Sequence, residues 1–133
     1  MRSVIQQSIV LPASAESLFD AYLDSAKHSA FTGFPVVIGG EAGSPFEAFA
    51  GQLSGTILAV VRPRLIVQSW RSTKFNASDP DSILILAFSP DAASSAQGRI
   101  DLIHFDVPQH DYDDVVAGWS KYYWEPWRAY LQR

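Results

Sequence analysis

The sequence predicts an α+β domain in which a curved antiparallel sheet wraps around a long C-terminal helix. Six large aromatic residues fall within the twelve residues from Trp119 to Tyr130, in a segment otherwise typical of a helix. A helix with aromatic side chains on almost every side cannot keep one face in water, so it must be enclosed. Residues 34–106 consist of short apolar runs separated by Gly, Pro and Asp, a pattern typical of strands that could enclose it.

A strand and two short helices come before this region. Residues 3–11 alternate in polarity and predict the first strand. Ser14 is placed to cap a first helix, and Asp24 or Ser25 to cap a second, which Gly33 ends. Six further strands are expected at 34–39, 45–50, 53–61, 65–72, 82–89 and 98–106.

The connections between these strands are too short for crossover helices, which favours antiparallel neighbours. The final helix is expected to begin at Asp111 or Asp113 and to continue to the C-terminus. Pro126 removes one of its hydrogen bonds and should kink it. The element order is therefore β-α-α-β6-α, within a single domain that spans residues 1–133.

Composition narrows the class of protein. Hydrophobic residues make up 47% of the chain and charged residues 18%, as in a globular domain with apolar surface to bury. The net charge of −4 argues against nucleic acid as a partner. Cysteine is absent, and no apolar run approaches the ~18 residues of a membrane span. No apolar run precedes Pro12, so we expect no secretory signal and a cytoplasmic location.

Several segments, taken in their order and spacing, resemble a known superfamily. They are Phe31-Thr32-Gly33, Phe46-Glu47-Ala48-Phe49-Ala50-Gly51, Ile66-Val67-Gln68-Ser69-Trp70-Arg71, Asp79-Pro80-Asp81-Ser82, His104 to Pro108, and Gly118-Trp119 through Leu131. The whole chain is similar to the START-like (SRPBCC, Bet v 1-like) superfamily. Within it, the chain resembles the branch named after the activator of the ninety-kilodalton heat-shock protein ATPase.

The resemblance implies a helix-grip fold, with two short helices closing one end of the sheet. It also implies a cavity between helix and sheet for lipids, polyketides or other apolar ligands. Some relatives act instead as co-chaperones, and others are cyclases or hydroxylase subunits. The superfamily shares no catalytic motif, so the resemblance implies a pocket and not a reaction.

The C-terminal aromatics are the first candidates for ligand contact. They can form core packing, or one turn around Val115, Trp119 and Tyr122 or Tyr123 can line the cavity, and both can hold at once. In the second case the two tyrosine hydroxyls would be polar anchors for a ligand. The residues expected to hold the helix in the sheet instead are Trp124, Trp127 and Tyr130.

His104 is the second candidate. The two-residue period of its strand places it on the same face as Ile100 and Leu102. An imidazole there is either a core histidine bonded to a backbone or carboxylate group, or a group that orients a ligand or transfers a proton. His28 and His110 are expected at surface turns. No His-rich or His/Glu spacing suggests a metal site.

Trp70 and Gln68 share one face of another strand and are either a wall and a polar group of the cavity or simple core. Phe31 and Phe49, in two of the matching segments, complete the expected ligand-binding set. Catalytic residues are not assigned. The aspartates at loops and helix starts are interpreted as solvated structure; they are Asp79, Asp81, Asp111, Asp113 and Asp114.

The last two strands depart from the pattern of the family, which usually places polar residues on their convex face. Here Ile83 and Ile85 with Ile103 and Phe105 form an apolar patch opposite the expected core face. Antiparallel sheets with one exposed face should alternate in polarity, and an apolar patch usually marks an interface. We expect a homodimer, or another protein partner, at this patch.

The leading functional hypothesis is binding of a small hydrophobic or amphipathic ligand in the internal cavity, without a cofactor and without catalysis. One alternative is a co-chaperone-like protein that acts through its surface. The other is a cyclase-like or isomerase-like enzyme that uses His104 or a tyrosine hydroxyl to polarise an oxygen.

Overall fold

The computed structural model describes residues 3–133 and has the expected α+β helix-grip architecture. No helix in this range is long and apolar enough to cross a membrane. The strands are β1 Ser3–Leu11, β2 Val36–Val37, β3 Pro45–Ala48, β4 Leu53–Val61, β5 Leu65–Ser72, β6 Ser82–Pro90 and β7 Gly98–Val107. The helices are α1 Ala15–Leu23, α2 Ser25–Thr32, α3 Tyr112–Trp119 and α4 Glu125–Leu131.

Local signals in the sequence explain most of the element ends. Ser14 caps α1 by accepting a hydrogen bond from the Ser17 N–H, and Asp24 caps α2. Gly33 ends α2 in the left-handed conformation, with φ of 81°. The strand expected at 45–50 ends early, because Phe49 and Ala50 also adopt left-handed backbone angles that a strand cannot contain.

All seven strands form one antiparallel sheet in the order β1-β7-β6-β5-β4-β3-β2. Its concave face carries the core, as β6 shows: Leu84, Leu86 and Phe88 are buried, while Ile83 and Ile85 are half-buried on the convex face. The first helix closes one end of the sheet, where the rings of Phe19 and Phe88 meet edge to face.

The C-terminal helical segment runs across the concave face and changes its winding midway. A 3₁₀ turn at Gln109–Asp111 leads into α3, and a π-helical turn at Ser120–Trp124 joins α3 to α4. The expected disturbance by Pro126 takes the form of this wider turn, in which the Glu125 N–H donates to the Ser120 carbonyl five residues back. Proline has no N–H to continue the ordinary pattern, which favours such a local change.

The helix is tied to the free edge of β1 by polar contacts. The Trp124 indole N–H donates to Gln7 Oε1 at 2.7 Å, and Arg128 donates to the Val10 carbonyl at 2.9 Å. Next to them, the ring of Trp127 stacks on Phe31 with centroids 3.9 Å apart. These contacts satisfy edge groups of the sheet and fix the helix on that side.

A directional chain of hydrogen bonds joins the same helix to the middle of the sheet. The Trp119 indole N–H donates to His104 Nδ1 at 3.2 Å, so the imidazole proton lies on Nε2 and is donated to Ser82 Oγ at 2.8 Å. The Ser82 hydroxyl donates in turn to the Trp70 carbonyl at 2.6 Å. Burial lowers the pKa of His104 to about 3, so the ring is neutral near pH 7.

His28 forms a second buried link, and its expected place at a surface turn is wrong. Its ring lies between α1 and the C-terminal helix, with 0% exposure. Nδ1 is 2.7 Å from the Tyr22 carbonyl, which can only accept, so Nε2 accepts from the Tyr123 hydroxyl at 2.9 Å. Burial lowers its pKa to about 4, against a smaller opposing effect of the Tyr22 carbonyl.

We expect the free energy of unfolding to fall as the pH is lowered from 7 to 5. The unfolded chain protonates His28 and His104 near pH 6.5, whereas the folded state does so only near pH 4 and 3. Between these values the unfolded state binds more protons, so each imidazole removes about 1.4 kcal/mol of stability per pH unit.

Urea unfolding at the two pH values measures this effect. His28→Gln should be less stable than the parent at pH 7 but should lose less stability on going to pH 5. His110→Gln, which removes an exposed imidazole, is the matched control for the loss of a histidine side chain. Equal pH dependence in all three proteins would contradict the prediction.

Candidate functional site

A cavity of about 350 Å³ lies between the C-terminal helix and the β4–β5 side of the sheet. One face of the helix lines it with Val115, Trp119, Tyr122 and Tyr123. Trp119 lies four residues after Val115, and the two tyrosines lie three and four residues after Trp119, which are the spacings of neighbouring side chains on one side of a helix. Cavities of this size accommodate small ligands.

The sheet side of the cavity is mainly apolar. Trp70 and Ser72 project from alternate positions of β5, and Leu53 adds to the wall from β4. The Trp70 and Trp119 ring centroids lie 6.3 Å apart. The Trp70 indole N–H is buried and has no hydrogen-bond acceptor in the described part of the chain. The wall therefore offers ring surface and one unused donor near it.

Aromatic rings also form the rim. Phe34 and Tyr122 are 45% and 42% exposed, and both contact the ring of Phe49, at centroid distances of 4.9 and 5.6 Å. Phe49 and Ala50 have φ of 54° and 57°, a conformation that costs a non-glycine residue of the order of 1 kcal/mol or more. This strained turn holds the Phe49 ring over the cavity.

Five residues of the expected ligand-binding set lie together around the cavity. Their contact with a ligand stays a prediction. They are Phe49, Trp70, Trp119, Tyr122 and Tyr123. The other three do not line it: Phe31 stacks in the core, and Gln68 and His104 have 0% exposure. Gln68 accepts a hydrogen bond from the Tyr22 hydroxyl, while its amide nitrogen has no partner among the described residues.

The two tyrosine hydroxyls differ in what they can offer a ligand. The hydroxyl proton of Tyr123 is donated to His28, so this group cannot anchor a ligand by donating a hydrogen bond, contrary to the expectation. Burial raises its pKa well above the usual tyrosine value, which keeps it protonated. Tyr122 is half-exposed at the rim, and its ring lies next to the Lys121 ammonium.

Asp111 lines the cavity, a position that the sequence did not predict. It was expected to be solvated, but it is only 3% exposed and faces the cavity just before α3. Its side chain does not cap the helix that follows. Burial raises the pKa of its carboxyl, opposed by Lys74, reinforced by Asp114 and opposed more weakly by His110. The only sequence signal was its position at a helix start beside an aromatic face.

The other two charged residues of the cavity lining, Lys74 and Asp114, lie at the opening of the cavity. Lys74 Nζ is 3.8 Å from Asp114 Oδ2, and these side chains are 66% and 72% exposed. Within residues 3–133, no three His, Asp or Glu side chains converge in a way that could hold a metal ion. The cavity is therefore an aromatic pocket with one buried carboxyl group and a solvated ion pair beside it.

The residues expected at an interface lie on the opposite face of the sheet. Ile85 is paired across the strands with Val67 and Ile103, and Ile83 is paired with Phe105. Ile103 is 37% exposed, and the other side chains in this row are half-buried. The convex face thus carries a continuous apolar strip.

Several known protein structures are similar to this one over almost the whole chain. The chain is similar in structure to an HSP90 activator from Plasmodium falciparum, with a TM-score of 0.80 and 18% identity over 92% of this chain and 91% of that one. It is also similar to a protein from Mesorhizobium loti, with a TM-score of 0.81 and 15% identity over 98% of both chains. For an Aha1 dimer from Colwellia psychrerythraea the values are 0.79 and 12%, over 97% of this chain and 96% of that one.

These identities establish a shared fold. No curated protein matches the sequence. A family model does match, over residues 12–132, and it is described as activator of Hsp90 ATPase homolog 1-like protein. This range includes both short helices, the cavity and the whole C-terminal helical segment. The chain therefore belongs to the family of activator of Hsp90 ATPase homolog 1-like proteins.

Proposed function

We propose that the protein binds a small hydrophobic or amphipathic molecule in the cavity between the sheet and the C-terminal helix. The observation that carries the proposal is the aromatic-lined cavity of about 350 Å³, whose rim is formed by half-exposed rings. Ligand sites are concave, mostly apolar and furnished with a few polar groups. The Bet v 1-like fold suits this role, because its helix packs with one side and leaves the other side open.

The contacts of the candidate catalytic groups favour binding over the cyclase or isomerase alternative. Both ring nitrogens of His104 are engaged by Trp119 and Ser82, and the ring is outside the cavity lining. The Tyr123 hydroxyl proton is engaged by His28. A general acid or base must reach the reacting atom, and neither group does so in this geometry.

A variant that fills the cavity tests the proposal. Val115→Phe should weaken binding of the neutral fluorophore N-phenyl-1-naphthylamine about tenfold or more, because the added ring occupies the ligand's space. Ala117→Phe introduces the same ring at an exposed position of α3 and is the matched control. Fluorescence titration of the three proteins measures the affinities. Equal affinity for the fluorophore in both variants and the parent would count against the proposal.

A second candidate, a co-chaperone role exerted through the surface, is favoured by the family and by the HSP90 activator from Plasmodium falciparum. The two functions make different predictions for ATP hydrolysis by a purified ninety-kilodalton heat-shock protein. Under the leading proposal, adding this protein leaves the rate unchanged. Stimulation that Val115→Phe retains would support the surface role instead, since that variant alters only the cavity.

We also propose that the convex apolar strip of Ile83, Ile85, Ile103 and Phe105 joins two copies of the chain. The four side chains come from the neighbouring strands β6 and β7, and Val67 of β5 lies beside Ile85, so this face is broad enough to pack against an identical strip about a two-fold axis. Outward apolar residues on both β6 and β7 break the alternation expected of a solvated sheet face. The dimer from Colwellia psychrerythraea shows that a protein of this fold can form a pair.

Sedimentation velocity tests the dimer. Ile85→Asp should sediment as a monomer, because the interface would bury an unpaired carboxylate at its centre. Ser89→Asp adds the same charge to the same face of β6 beside Arg99, outside the apolar strip, and should remain a dimer. A monomeric parent, or equal masses for the parent and Ile85→Asp, would exclude this interface.

A further inference from the structure

The cavity contains a carboxyl group without a partner. Asp111 is 3% exposed and lines the cavity. Its side chain neither caps α3 nor forms a hydrogen bond or salt bridge with another group within residues 3–133. A buried carboxylate without a partner is unfavourable, and a cation or hydrogen-bond donor placed beside it restores the lost interactions.

The charged residues around Asp111 do not supply a cation that pairs with its carboxylate. Lys74 is the one basic residue of the lining, and its ammonium forms an exposed pair with Asp114. Two carboxylates and one ammonium leave one negative charge in excess, and Asp111 is the carboxylate that has no salt bridge with Lys74. The net charge of −4 on the whole chain adds to a field that attracts cations.

The rest of the cavity suits an apolar body that carries such a cation. Trp119 lies two helical turns beyond Asp111, about 12 Å along the helix axis. There the rings of Trp70, Phe49 and Tyr122 surround the cavity. The polar end and the aromatic end are therefore separated along one axis, as the two ends of an amphipathic molecule are.

We propose that the ligand is an amphipathic organic cation, whose ammonium group binds Asp111 and whose apolar body lies between Trp70, Trp119 and the rim rings. This inference rests on the proposed function, since it names the chemical class of ligand for the same cavity. An ammonium group has only donors, which matches a carboxylate that has only acceptors. A ligand carboxylate would meet the like charge of Asp111.

Three probes with the same eight-carbon chain separate the effect of charge from that of apolar contact. They are octylammonium, 1-octanol and octanoate, titrated calorimetrically into the full chain at pH 7. We expect octylammonium to bind about tenfold or more tightly than 1-octanol, and octanoate to bind most weakly, because hydrogen bonds to charged groups are the stronger ones. The order of the three affinities in the parent protein is a test that requires no variant.

Asp111→Asn then assigns the preference to one side chain. It should reduce the affinity for octylammonium about tenfold and leave that for 1-octanol unchanged. Asp114→Asn removes a carboxylate that is exposed and already paired with Lys74, so its effect should be small.

Each other result overturns the inference in an identifiable way. If 1-octanol binds and octylammonium gains nothing over it, or keeps its affinity in Asp111→Asn, cation recognition is wrong and cavity binding stands. Tighter binding of octanoate than of octylammonium would also exclude cation recognition and leave cavity binding in place. If none of the three probes binds, and N-phenyl-1-naphthylamine does not bind either, the proposed function fails together with the inference.

Discussion

The hydrogen bond from the Trp119 indole to His104 is the contact on which the arrangement of helix and sheet depends. It joins the middle of the C-terminal helix to β7, and through Ser82 it continues to the backbone of β5. Each donor in this series of three hydrogen bonds has one acceptor. The series therefore fixes the height and the rotation of the helix above the sheet. One side of the helix then packs against β1, and the other side remains separated from β4 and β5 by the cavity.

Most of the fold could be predicted because short-range sequence patterns determine where its strands and helices begin and end. Alternation in β1, the cap at Ser14 and the left-handed stop at Gly33 depend only on neighbouring residues. The faces of β6 were also predictable, since a two-residue period leaves one choice once the core side is known. The turn at Phe49 and Ala50 was not, because neither residue type favours left-handed backbone angles.

The sequence predicted on which face of its strand or helix a site residue lies, but it did not predict how deeply the residue is buried. Trp70 and Gln68 do share the concave face of β5, yet only Trp70 reaches the cavity, because Gln68 lies farther along the strand beneath Tyr22. Periodicity gives the direction of a side chain but not the element that covers it. For the same reason His28 and Asp111 were misplaced, since both lie in short polar segments typical of a surface. Packing against Tyr123 of the C-terminal helix buries His28, and Asp111 is buried beside the cavity at the start of that helix.

The rim of Phe34, Phe49 and Tyr122 differs in kind from the attachment of the helix to β1. On the β1 side, Trp124 and Arg128 make directed hydrogen bonds, which break if the parts slide. The rim is sealed by ring contacts, which keep much of their attraction over a range of angles and offsets. Small side-chain rotations can therefore widen the opening while the helix stays anchored. The volume of about 350 Å³ is thus a lower bound on the space that the cavity can offer, and under the proposed function a ligand would enter past these three rings without movement of the helix.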